Sequence, residues 1–192
     1  MPIVELTPTF GRMVLAIRED LAAFGLVPAG DYDIAEARTF AAELIGPNIV
    51  TAEALQRVHN RSGAGLFLAR EEGRLTGVLA FVLLNAAGLA AVWDQTFNAV
   101  DPDPAHVSKA GQDPVALYGW GVAATTKPSA IRLIDGARSM GANVVAGLPY
   151  FARPTTEAGH RLMRERLNFV DCPGSTTGLV WLPPVHLREV AA

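Results

Sequence analysis

Residues 115–169 read VALYGWGVAATTKPSAIRLIDGARSMGANVVAGLPYFARPTTEAGHRLMRERLNF. The apolar run Val115–Ala123 predicts a buried strand, and Ala124–Ser129 a small polar loop. Ser129–Met140 follows with helical spacing and ends at Gly141. A second apolar run, Asn143–Leu148, predicts another strand. A further helix then runs from near Pro154 to Leu167-Asn168-Phe169. Strand, loop and helix N-terminus in that order make an anion site, because free backbone N–H groups and the helix dipole converge there. Thr125, Thr126, Lys127 and Ser129 add polar side chains, so a phosphate or pyrophosphate ligand is expected at Ala124–Ala130. The plainer alternative is an ordinary helix start capped by Thr126 or Ser129.

Working outward, Ala64–Arg70 and Leu75–Leu84 predict an antiparallel hairpin around the charged turn Glu71-Glu72-Gly73-Arg74, with glycine where positive φ is needed. Upstream, Ile3–Leu6 predicts a short strand and Thr9–Phe24 a helix ended by Gly25. Asp33 reads as the N-cap of Ile34–Ile45, stopped by Gly46-Pro47. Thr51 with Ala54–His59 gives a short helix ending near Ser62-Gly63. Asn85–Gly88 reads as a turn, Leu89–Thr96 as a strand, and Asn98–Pro114 as a loop long enough to be functional or mobile. A Pro-Gly turn, a strand over Thr177–Leu182 and a Pro183-Pro184 exit complete the chain. Helices, hairpin, then strand–helix–strand–helix–strand make one α/β (α+β) domain over residues 1–192 with a mixed sheet.

Bulk properties narrow the function classes. The 192 residues are 50% hydrophobic and 18% charged, enough for a core and too apolar for disorder. A net charge of -3, with one small Arg161, Arg164, Arg166 cluster, gives no footprint for nucleic acid. No apolar run reaches about 18 residues, so no membrane partner is expected. The N-terminus has no basic-then-apolar leader, which predicts a cytoplasmic protein. The composition also suits an apolar surface covered in a homodimer. Cys172 is the sole cysteine and reads as incidental. His59, His106 and His186 lack metal-ligand spacing, so no metal site is expected.

Tyr118 and Trp120 alternate with Leu117 and Gly119, so the two aromatics share a face. Tyr118 is a candidate proton donor or acceptor at the open end of the sheet, with core packing as the plainer reading. Gly119 and Gly121 inside a strand mark a bulge or a close backbone approach. Arg161 and Arg164 are candidate phosphate contacts or simply a solvated basic face. Trp93-Asp94 and Asp101-Pro-Asp-Pro are candidates to line an amine cleft, against the plainer reading of solvated loop acids.

The order of these elements resembles the GNAT superfamily of acyl-CoA-dependent N-acetyltransferases. Gly65–Leu84 resembles its second and third strands, Val122–Leu133 its pyrophosphate loop and helix, and Arg166-Leu167-Asn168-Phe169 its helix ending in Leu-Gly-Phe. The likeness covers about Ala64–Leu182. It implies a mixed, mostly antiparallel sheet flanked by helices, with a splayed parallel pair that admits a pantetheine arm beside Gly119 and Gly121. It implies acetyl-CoA or another acyl-CoA as co-substrate, held by Val122, Ala123, Ala124, Thr125, Thr126, Lys127, Ser129, Ala130, Ile131 and Arg164, with Val122 and Ala124 pairing to pantetheine amides. It implies transfer of the acyl group to a primary amine on a small molecule or peptide. Tyr118 or His160 is then the candidate proton handler, His160 in place of the absent tyrosine, with a solvent-facing helix residue as the plainer reading of His160. The chain departs from the family pattern at several points. Ala130 stands for the first loop glycine, Arg132 for a small residue, and Pro128 has no N–H to give. Arg164 stands at the usual tyrosine position, and Val115–Ala123 holds no carboxylate base. These departures frame a second reading, a GNAT-fold binding or interaction protein without catalysis. A third is another α/β enzyme that uses the helix start for a phosphate ligand in an all-parallel sheet.

Overall fold

The computed structural model describes residues 10–185. The Ile3–Leu6 strand and His186 therefore lie outside the described residues. The chain runs α1 (Arg12–Ala22), β1 (Val27–Pro28), α2 (Asp33–Ile45), α3 (Ala52–Ser62), β2 (Leu66–Glu71), β3 (Arg74–Leu84) and α4 (Ala86–Trp93). It continues with β4 (Ala116–Ala124), α5 (Lys127–Ser139), β5 (Tyr150–Ala152), α6 (Glu157–Arg161), β6 (Val170–Asp171) and β7 (Val180–Leu182). Seven strands form one sheet in the order β1-β2-β3-β4-β5-β7-β6. Every pairing is antiparallel except β4 with β5. This is the mixed, mostly antiparallel sheet that the family resemblance implied, and it is incompatible with the all-parallel alternative.

Alternation along the strands builds two faces. Phe67, Leu79, Phe81, Leu83 and Leu117 turn to one side, where Val14, Ile17 and Leu21 of α1 and Leu133 of α5 cover them. Leu66, Leu68 and Val78 turn to the other, under Ile34 and Ala37 of α2 and Leu55 of α3. Val82, Leu84, Ala116 and Tyr118 lie beside them under Ala91 and Val92 of α4. Helix α5 packs closely on the sheet at Gly77, where an added Cβ would stand 2.8 Å from Leu133 Cδ1.

Local chemistry explains most boundaries. The hairpin turns on two residues, Glu72 (φ 51) and Gly73 (φ 80), so Glu71 and Arg74 belong to the strands. Thr51 Oγ1 accepts from Ala54 N–H at 3.2 Å to cap α3, and Gly63 ends that helix in the left-handed region. Several expectations are corrected. Asp33 is the first residue of α2 and not its cap; its Oδ2 accepts from Gly30 N–H at 2.7 Å. The Asn85–Gly88 turn and Leu89–Thr96 strand are instead α4, because Asn85 Oδ1 accepts from Gly88 N–H at 3.0 Å and caps an Ala-rich run with strong helix propensity. The Asn143–Leu148 strand is absent: the chain beyond α5 continues as one wide π turn, Met140–Val144, closed by Val145 N–H to Met140 O. The strand it was meant to be forms later, at Tyr150–Ala152. Likewise the last strand contracts from Thr177–Leu182 to Val180–Leu182, with Gly178 turning at φ 72.

Candidate active site

The site begins where β4 and β5 part. They pair in parallel only over Leu117–Gly119 with Tyr150–Ala152, while β4 runs on to Ala124. Beyond Gly119 the β5-side edge of β4 is therefore unpaired over residues 120–124. Thr125 N–H donates to Thr76 O at 3.0 Å. Counting back through the antiparallel ladder, Ala123 and Gly121 face β3 in the same way, so the amides of Val122 and Ala124 point to the open edge.

A bulge on β4 sets which side chains reach that opening. Phe81 pairs with Gly119 and Ala80 with Gly121, leaving Trp120 as an extra residue. Before the bulge Leu117 lies on the α5 face and Tyr118 on the other; after it Val122 lies on the α5 face and Ala123 on the other. The extra residue thus brings Tyr118, Trp120 and Gly121 together onto one face. Gly119 stays behind, with its missing Cβ 3.3 Å from Tyr150.

That face opens into a cleft of about 460 Å³. Ala37, Ala41 and Ile45 of α2 form one wall, and residues 46–50 the rim. Tyr118 and Trp120 lie at its base, and Arg153, Thr155 and Thr156 line the side beyond β5. Trp120 Nε1–H donates to Ala99 O at 2.5 Å, which pins the start of the long Asn98–Pro114 loop over the cleft. Tyr118 is only 4% exposed, its ring 5.0 Å from Phe97. Burial pushes the Tyr118 phenol up, and the charge of Arg153 pulls it partly back. Tyr118 therefore carries its proton at neutral pH.

The start of α5 is more occupied than the sequence suggested. The helix opens at Lys127 and not Ser129, with Thr126 as N-cap: its Oγ1 accepts from Ser129 N–H at 3.2 Å. Lys127 and Ser129 thus lie in the first turn and not in a loop, with Pro128 well placed beside them. Glu71, from the end of β2, reaches under this turn. Its Oε1 accepts from Thr126 Oγ1 at 3.0 Å, Ser129 Oγ at 2.9 Å and Arg132 Nη2 at 3.0 Å. Thr125, Ser129 and Ala130 amides are already bonded within the protein, and Pro128 has none. A phosphate group is left with at most the Thr126 and Lys127 amides, the exposed Lys127 side chain and the helix dipole, part of which Glu71 neutralises. Ile131 is half exposed on the outer side of the helix. From the sequence Glu71 reads as part of a tight, charged turn; nothing local distinguishes it from its neighbour Glu72.

Other candidates lie apart. His160 sits on α6, one turn beyond Thr156, and is not among the side chains lining the cleft. Arg164 pairs with Asp171 at 2.5 Å, away from the α5 turn. Asp101 pairs with Arg57, and Asp103 Oδ1 accepts from Ala105 N–H at 2.7 Å, so these loop acids do not line the cleft. Trp93 packs edge-on against Phe151 at 5.1 Å. Cys172 is buried, which pushes its thiol up. Among the described residues no group of three metal-ligating side chains comes together, and no helix is long and apolar enough to cross a membrane. Both charged cleft residues, Arg38 and Arg153, were missed from sequence, because neither sits in a motif.

No family model matches the sequence, and no curated protein matches it. Among solved structures, the chain is similar to a histone acetyltransferase HPA2 and related acetyltransferase from Corynebacterium glutamicum, at 14% identity and a TM-score of 0.48 over 83% of this chain and 95% of that one. It is similar to an N-acetyltransferase from Staphylococcus aureus, at 10% identity and 0.47 over 82% and 99%. It is also similar to a GNAT family acetyltransferase from Brucella melitensis in complex with acetyl-CoA, at 13% identity and 0.43 over 82% and 86%. At these values the functional reading rests on the strands, the cleft and the α5 turn.

Proposed function

We propose that this chain is a divergent acyltransferase of the GNAT type that moves an acyl group, acetyl in the simplest case, from acyl-CoA to a primary amine. The observation that carries the reading is the unpaired edge of β4 beyond Gly119, opening directly onto a cleft with Tyr118 at its base. The residues fit a pantetheine arm well: Val122 and Ala124 offer two amides and two carbonyls that no strand uses. They fit a pyrophosphate sparingly, through Lys127 and the Thr126 and Lys127 amides.

Acyl-CoA, once bound, supplies an activated acyl carbon and a thiolate leaving group. This chain's residues would position the two substrates along the parted strands and exclude water under the loop that Trp120 holds. Tyr118, protonated at neutral pH, would give its proton to the departing sulfur. The amine's proton would leave through water, because no carboxylate lines the cleft. We assign His160 no step, since it does not line the cleft. Action on a cytoplasmic small molecule or peptide, as monomer or homodimer, is part of the same reading.

The second reading, a binding or interaction protein without catalysis, draws on one specific observation: the Glu71 carboxylate under the α5 turn, where the phosphates would need positive potential. A thermal-shift titration with acetyl-CoA, longer acyl-CoAs and free CoA separates the two. At about 100 times its Kd a ligand adds roughly 2.7 kcal/mol of stability. A saturable shift, lost in Lys127→Glu and in Gly121→Leu, which fills the cleft beside Ile45, supports the acyltransferase. No shift at millimolar acyl-CoA supports the second reading.

A further inference from the structure

The charges of the cleft bear on its second substrate. Among the described lining residues the charged side chains are two, Arg38 and Arg153, and neither is an acid. Arg38 holds its own loop: Nη2 donates to Pro47 O at 3.2 Å and Nε to Val50 O at 3.4 Å. Arg153 is different. It follows β5 directly, is exposed, and makes no ion pair among the described residues. Its Nη2 donates to Thr177 Oγ1 at 3.0 Å, which orients the fork and leaves its remaining donors for a ligand.

Glu53, exposed on α3, feels the charge of Arg38 but is not among the cleft-lining residues, and three other acids are paired elsewhere. Asp101 pairs with Arg57, and Asp33 and Glu36 pair with Arg70 at 2.8 and 2.6 Å. A ligand entering the cleft as a simple cation would meet two guanidinium groups and no acid among the described lining side chains. Its body would meet the apolar surface of Ala41, Ile45, Val50 and Leu55. The same positive potential favours the neutral form of an amine, which is the form that attacks an acyl carbon.

We propose that the second substrate is an apolar amine that also carries a carboxylate, of the amino acid class, and that Arg153 binds this carboxylate. The amine end then lies toward Tyr118. The proposal rests on the acyltransferase reading for what becomes of the amine, but the carboxylate site stands on the cleft alone.

The test is a binding titration on the full chain with four probes of one shape: leucine, leucinamide, isoamylamine and 4-methylpentanoate. Leucine and 4-methylpentanoate should bind saturably, and the two probes without a carboxylate about tenfold more weakly or worse. Arg153→Gln should erase that discrimination, and Arg153→Glu should invert it in favour of isoamylamine. Both variants change an exposed side chain and should keep the wild-type Tm within a few degrees. Isoamylamine binding as tightly as leucine overturns the proposal, as does the absence of saturable binding by either carboxylate. It is also overturned if Arg153→Gln weakens acyl-CoA alone and leaves the discrimination intact. Carboxylate binding without any acyl-CoA shift in the wild type keeps the site and removes the acyltransferase reading, so the two failures are distinct.

Discussion

Ser129 Oγ donates a 2.9 Å hydrogen bond to Glu71 Oε1, joining two residues 58 apart in the sequence. Ser129 is fully buried, and the same carboxylate oxygen accepts from Thr126 and Arg132. One side chain thus ties the β2–β3 hairpin to the first turn of α5. Glu71→Ala should cost about 1 kcal/mol in urea unfolding, because it removes the acceptor shared by Thr126, Ser129 and Arg132, while Ser129 Oγ keeps Thr76 Oγ1 at 2.7 Å and the partly exposed ion pair with Arg132 adds little. Glu71→Gln should bind acyl-CoA more tightly than the wild type by removing negative charge from the end of α5. Equal affinity would place the phosphates beyond the reach of that charge.

Tyr118→Phe keeps the ring against Phe97 and removes only the hydroxyl. If Tyr118 protonates the leaving sulfur, kcat for acyl transfer should fall by about 10²-fold with KM little changed. Because burial pushes the Tyr118 phenol up, the wild-type rate should show no downturn from this group between pH 6 and 9. A kcat unaltered in Tyr118→Phe removes the residue from the chemistry.

Trp120→Phe deletes the donor to Ala99 O. The loss should be about 1 kcal/mol in stability. The sharper readout is limited proteolysis, which should cut the Asn98–Pro114 loop faster once its start is released. Unchanged cleavage would mean that the loop is held by other contacts.

At Gly77 the nearest obstacle to a side chain is Leu133 Cδ1, and Leu133 is fully buried in the core beneath α5. Gly77→Val should therefore destabilise by about 1–3 kcal/mol through overpacking. A Tm equal to the wild type would show that α5 moves away from the sheet freely.

His59 is 6% exposed, and its Nδ1 is buried with no hydrogen-bond partner among the described residues. Desolvation is the main cause that lowers its pKa below the usual 6.5, opposed by a hydrogen bond to the Ala29 backbone. The charge of Arg18 lowers it further and that of Asp31 raises it. A depressed folded-state value means that the unfolded chain binds more protons just below pH 6.5. Stability from this residue is thus complete above pH 6.5 and falls as the pH drops toward the folded-state pKa. Urea midpoints measured from pH 7.5 to 5 should decline more steeply for the wild type than for His59→Gln. Parallel profiles would refute the assignment.

Much of the frame was legible because its determinants are local. The β2–β3 hairpin follows from alternation closed by Glu72-Gly73, and α3 from Thr51 and Gly63 at its ends. The mistaken strand over Leu89–Thr96 shows the limit: a short apolar run suits a strand or a buried helix equally, and the Asn85 cap decided it. The missing strand at Asn143–Leu148 has another cause. Parallel pairing begins only where Pro149 O can accept from Leu117 N–H, and that register is a property of two distant segments.

For the site the division is similar. From the sequence alone came the face shared by Tyr118 and Trp120, the bulge marked by Gly119 and Gly121, and a capped helix start close to Thr126, placed two residues late at Ser129. These are read within a few residues, where backbone geometry and side-chain period are fixed. Only the tertiary structure decided that Glu71 lies under that helix, that Arg153 turns into the cleft, and that the loop acids do not. Each depends on which remote charges the folded sheet brings within hydrogen-bonding reach, and separation along the chain holds no record of that.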